Sequence, residues 1–191
     1  DRSFPWLWSG ALAVVLAAIG FAVQRQLDGG PTLAVWTQAA WNLEEGRGTV
    51  SSLAGGDVVR DQWAFTTLPV LWLGRWLPID GVLIVTQAVA LSLAIVPLWR
   101  VARESTRLRL GVAAALLLAY SGAPVLHTTN LTGWTALVPA VPALAWAAWF
   151  GRRRRWVPYA LCLAVAFPLV RSALPEGHPG LRQPVARPRK S

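Results

Sequence analysis

The stretch GVLIVTQAVALSLAIVPLW, residues 81–99, decides the fold: nineteen consecutive residues without one charge. A helix needs about 20 residues to cross the hydrocarbon core of a bilayer, with a range of about 17–25. Four further uncharged apolar runs occupy residues 5–23, 110–126, 133–150 and 156–170, the last being short. Within lipid a backbone must satisfy its own hydrogen bonds, so these runs are expected as helices. The sequence therefore predicts an all-α, polytopic transmembrane helical bundle.

Composition agrees. The 191 residues are 54% hydrophobic and only 14% charged, against about 25% charged in soluble domains. Net charge is +9, which on a soluble protein would suggest nucleic acid. Here the arginines flank apolar runs, so nucleic acid is not expected as a partner and membrane lipids are. Trp6, Trp8, Trp99, Trp134, Trp149 and Trp156 fall at or near run ends, where indoles favour the headgroup layer. The single Cys162 permits neither an internal disulfide nor a cysteine metal site. The chain has no Met and opens on Asp1, which implies a missing or processed native start. The first run is too long and too weakly flanked for a signal peptide.

Topology follows from the Lys/Arg bias of the loops. Arg100, Arg103, Arg107 and Arg109 crowd one loop, and Arg152, Arg153, Arg154 and Arg155 another. Two spans separate them, so both belong on one side. That side is expected to be the cytoplasm, with the N-terminus also cytoplasmic. Residues 24–80 then form a long outer loop with an acidic balance, and the turn around His127 to Thr132 is outside too. The basic, Pro-rich tail 174–191 reads as disordered, with residues 1–173 as the transmembrane domain. Alternation places that tail outside, against its charge. A re-entrant last run, further helices, or a tolerated exception would each resolve this.

Within the outer loop, PTLAVWTQAAWNLEE reads as a helix starting at Pro31, with Leu33, Trp36, Ala40 and Leu43 on one face. Residues 61–79 are apolar but broken by Pro69, Gly74, Arg75 and Pro78. Crossing would bury Arg75, so an interfacial or re-entrant path is expected. Pro139 with Pro142 is expected to kink the fourth span.

No phosphate loop, nucleophile elbow or metal-ligand cluster is present. The outer face does gather polar groups: Asp28, Gln38, Trp41, Asn42, Asp61, Gln62, His127 and Asn130. A carboxylate near the interface, joined by a His or Asn, can activate a hydroxyl. The competing reading is a set of ordinary solvated loop residues. Arg152 to Arg155 can bind anionic lipid headgroups or serve only as a topology anchor.

The order of pieces resembles one family. TLAVWTQAAWNLEEGRG, RDQWAFTTLPVLWLGRWLP, VLIVTQAVALSLAIVPLWRVAR, ALLLAYSGAPVLHTTN and ALVPAVPALAWAAW resemble uncharacterised multi-spanning bacterial membrane proteins, frequent in actinobacteria and described as a domain of unknown function. The resemblance covers roughly residues 32–171, the family's N-terminal part, and members usually continue with more helices. That family is similar to GT-C glycosyltransferases, which use polyprenyl-phosphate sugars. The resemblance implies a bacterial cell-membrane protein acting at the outer leaflet on a lipid-linked sugar. Asp61 or Asp28 would be the base, and Gln38, Trp41, His127 and Asn130 would bind substrate. A divalent metal is implied only for a catalytic protein. Family members carry acids in a pattern like F-D-L-G-I-F-D-Q-A-L-W, where this chain has Thr32 and Thr37. The alternative is a non-catalytic accessory subunit packing against other membrane proteins.

Overall fold

A computed structural model describes residues 3–27, 30–105 and 109–173. It is an all-α, polytopic bundle whose described residues include one two-stranded hairpin in the segment between the first two spans. The first helix, α1, spans Phe4–Leu27, and α2 spans Gly30–Glu44. A short antiparallel hairpin follows, β1 (Val50–Ser51) with β2 (Gly56–Asp57). Then come α3 (Val58–Asp61), a 3-10 turn over Phe65–Thr67, and α4 (Leu68–Leu73). The second span is α5 (Ile79–Leu93) and α6 (Ile95–Arg100), closed by a π turn over Val101–Ser105. Next are α7 (Leu110–Ser121), α8 (Pro124–Leu131), α9 (Ala140–Arg152) and α10 (Trp156–Ala173). Among the described residues, three continuous stretches are long and apolar enough to cross a membrane: Phe4–Gln26, Ile79–Glu104 and Leu110–Leu131.

Prolines explain the breaks inside these stretches. Pro97 has no N–H to donate to Leu93, four residues earlier, and the helix re-forms after Ala94. Pro124 forces Ala123 into an extended conformation, yet its fixed φ suits the first turn of α8. The third span therefore continues through His127 to Leu131, which the sequence suggested would be an outer turn. Pro139 and Pro142 likewise remove i→i−4 donors. Successive three-residue turns replace them, Val138 to Thr135, Ala140 to Leu137 and Val141 to Val138. The run 133–150 is consequently regular helix only from Ala140.

Two apolar clusters stack along the bundle. At one end α2 buries Leu33, Trp36 and Ala40 against Val58, Leu71, Leu83, Trp134 and Leu169, the face its periodicity indicated. Below, Leu12 and Leu16 of α1 meet Leu91 and Ile95, with Leu117 and Leu126. Residues 61–79 form only short helical pieces, the longest six residues, or about 9 Å. They lie along the hairpin module and are too short to cross.

The two arginine-rich loops share an end of the molecule. Glu104 accepts from Trp149 Nε1 at 3.1 Å and pairs with Arg153. Phe4 packs on Trp99 with centroids 4.9 Å apart, which brings the start of α1 to that same end. The tryptophan belt is only partly present. Trp6 and Trp156 are exposed, whereas Trp99, Trp134 and Trp149 are buried in helix packing.

Helices α1 and α5 pack closely at Gly20, where an added Cβ would stand 2.7 Å from Ile84 Cγ2. A β-branched side chain in a helix cannot turn aside. Gly20→Val is therefore expected to lower thermal stability in detergent by about 1–3 kcal/mol. An added Ile84→Ala substitution should recover part of that loss. Additive losses would show that the two residues do not meet.

Candidate functional site

The hairpin module is built by side chains that tie the hairpin to α2. Gln38 Oε1 accepts from Ser51 Oγ at 2.7 Å, and its Nε2 donates to Ser52 Oγ at 2.8 Å. Asn42 donates to the Val50 carbonyl at 2.7 Å. Asp57 caps α3, accepting from the backbone N–H groups of Val59 and Arg60, both at 3.1 Å. Thr49 Oγ1 adds a third bond at 2.5 Å. The Thr49 hydroxyl, followed by the Arg60 N–H, holds the Asp57 carboxyl below its ordinary range. The module's contribution from this cap is thus present at neutral pH and fades only as acid protonates Asp57.

Beneath this module a cleft of about 510 Å³ opens between α1, α2 and α5. Gln24, Thr37, Gln38, Trp41 and Asp80 line it, with Leu33 and Ala34. Thr37 Oγ1 donates to Asp80 Oδ1 at 2.6 Å, which leaves the second carboxylate oxygen for a ligand. Trp41 is 52% exposed, and the Arg47 guanidinium sits 5.0 Å above its ring. An exposed indole beside a few fixed polar groups is the usual composition of a small-molecule site. A second, mostly apolar groove of about 600 Å³ runs between α1, α4 and α5. Phe21, Leu73, Leu77, Val82 and Val85 line it. Gln24 and Asp80 belong to both, so Asp80 stands where a polar cleft meets an apolar one.

The residues indicated by sequence have different fates. Gln38 and Trp41 lie in the cleft, although the Gln38 amide is already engaged. Asp61 ends α3, is exposed, and lines neither the cleft nor the groove. Its neighbour Gln62 lines a third cleft with Thr32 and Trp134. Asp28 lies outside the described residues. His127 is not in the cleft. Its Nε2 lies 2.8 Å from the Ser121 carbonyl, an acceptor, so that nitrogen must carry the proton. It satisfies a carbonyl released at the Pro124 break. Asn130 is buried and donates to the Leu16 carbonyl at 2.9 Å, joining α8 to α1. Arg152 ends α9 and Arg153 to Arg155 form the turn into α10, at the end opposite the hairpin module.

Two residues escaped the sequence reading. Asp80 counted there only toward the acidity of the outer loop. Its position just after Pro78, at the start of a span, was the available signal. Gln87, an uncharged polar residue inside a span, is buried. It donates to the Thr129 carbonyl at 3.0 Å and accepts from Thr135 N at 3.2 Å. Such intramembrane polar groups commonly bridge helices. Among the described residues no three His, Cys, Asp or Glu side chains gather as a metal site.

The sequence model of a family described as "Predicted membrane protein (DUF2079)" matches residues 29–175, and the chain belongs to that family. No curated protein and no solved structure matches the chain.

Proposed function

We propose that this DUF2079 membrane protein binds a lipid-linked saccharide at the outer leaflet and transfers the sugar, with the arginine-rich end in the cytoplasm. The observation that carries the reading is the position of Asp80 between the Trp41 cleft and the apolar groove. A pyranose has an apolar C–H face that suits an indole and hydroxyls that suit carboxylate and amide. A hydrocarbon chain suits the groove. The resemblance to GT-C enzymes supplies the reaction class. Where family members carry an acid, this chain has Thr37, and Thr37 holds Asp80 by a hydrogen bond. The carboxylate of the site thus comes from α5 rather than α2.

In the proposed reaction the free oxygen of Asp80 takes the proton of an acceptor hydroxyl. That hydroxyl oxygen bonds to the anomeric carbon. The bond from that carbon to the phosphate oxygen breaks, and polyprenyl phosphate leaves with the electron pair. No metal is assigned a step.

A second reading, a non-catalytic subunit that binds the same lipid, is favoured by Thr32 and Thr37 at the family's acidic positions. A polyprenyl-phosphate sugar bearing a photo-crosslinker on the saccharide tests both. Crosslinks are expected on α2 near Trp41, and Trp41→Ala should weaken capture roughly tenfold, the loss of one well-packed aromatic contact. Capture unchanged by Trp41→Ala would overturn the site. Capture at Trp41 without transfer would leave the accessory reading in its place.

A further inference from the structure

We propose that the turn joining α9 to α10 is a binding site for an anionic phospholipid headgroup, held by Arg152, Arg154 and Arg155. The four consecutive arginines are not equivalent. Arg153 is committed inward: it pairs with Glu104 and lies 5.1 Å over the Trp149 ring. The other three are exposed and have no ion-pair partner among the described residues. Glu104, the acid beside them, is already taken by Arg153 and Trp149. Three guanidiniums on one short turn therefore present charge that nothing in the described chain neutralises.

The surroundings fit a membrane surface rather than open water. Immediately after Arg155, Trp156 is 65% exposed and Val157 is 74% exposed. An indole and an apolar side chain beside a basic turn suit the headgroup layer. The backbone adds a second argument. Arg155 N bonds to Phe150 O, and Arg154 N to Gly151 O. This is the Schellman pattern, in which glycine ordinarily occupies the left-handed position. Here that position is Arg154, with φ +53°, so a charged side chain is kept where the backbone would prefer none.

The test uses the detergent-solubilised protein, titrated with short-chain phosphatidylglycerol or phosphatidylcholine and read by native mass spectrometry. Phosphatidylglycerol should bind the more tightly. Basic residues near a surface contribute about fivefold each, so Arg152→Gln with Arg154→Gly and Arg155→Gln should weaken it roughly a hundredfold. Arg154→Gly alone relieves the backbone, so it should lose about fivefold in affinity without loss of thermal stability. Arg153→Gln should do the reverse, keeping affinity within about twofold while lowering thermal stability. Equal binding of the two lipids, or a triple variant that keeps its preference, overturns the proposal. So does inorganic phosphate competing as well as the lipid, which would mark a phosphate site instead.

Discussion

Asp80→Asn is expected to lower sugar transfer roughly 10²–10⁴-fold, the usual cost of losing a positioned general base, while donor binding changes little. Asparagine keeps the size of the side chain and can still accept the Thr37 hydroxyl, whose bond to Asp80 is 2.6 Å. It cannot take a proton from an acceptor. The substitution therefore separates chemistry from packing. Asp61→Asn is the paired control: Asp61 is exposed and lies outside the cavities described, so transfer should stay within about twofold of wild type. A polyprenyl-phosphate sugar and an alcohol acceptor, with product followed by chromatography, give the rates. Normal transfer by Asp80→Asn would remove this carboxylate from the mechanism. Abolished transfer by Asp61→Asn would return the base to the residue that the family resemblance indicates.

The difference between these two acids shows what the sequence could and could not reveal. Three of the five apolar runs, 5–23, 81–99 and 110–126, fall in helices long and apolar enough to cross among the described residues, and they were legible because lipid demands uninterrupted apolar helix, which composition records. The break-up of residues 61–79 into short helical pieces was legible for the same reason in reverse, since Pro69, Gly74, Arg75 and Pro78 interrupt a continuous apolar helix. The amphipathic face of α2 could be read from spacing. Asp80 could not, because its role depends on Thr37, 43 positions away, and on α1 closing the cleft with Gln24. His127 misled because an exposed imidazole in a loop and one capping a broken helix look alike in sequence. Only the Pro124 break, which releases the Ser121 carbonyl, distinguishes them. Tryptophans at run ends misled similarly. A helix end is a membrane interface only where no other helix covers it, and Trp99, Trp134 and Trp149 are covered.

Trp149→Ala is expected to destabilise the protein by about 3–5 kcal/mol, as for other buried large-to-small changes. Trp149 is 5% exposed and organises the arginine-rich end. Arg100 and Arg153 lie 4.8 and 5.1 Å from its ring. Trp146 and Phe150 pack on it at centroid distances of 5.5 and 4.9 Å. Its Nε1 donates to Glu104 at 3.1 Å. Removing the indole opens a cavity and strips Arg153 of its aromatic partner, while Arg100 keeps the Trp146 ring. It also takes a donor from Glu104, which joins the π turn to α9. Trp149→Phe keeps a ring but not the N–H, so its loss should be smaller, about 1–3 kcal/mol. Thermal unfolding in detergent supplies the magnitudes, and trypsin supplies the location. If this clamp holds the α9–α10 hairpin against the second span, the Ala variant should be cut at residues 152–155 well before global unfolding. A Trp149→Ala protein as stable and as protease-resistant as wild type would mean that the two arginine-rich loops are held together by something other than this ring.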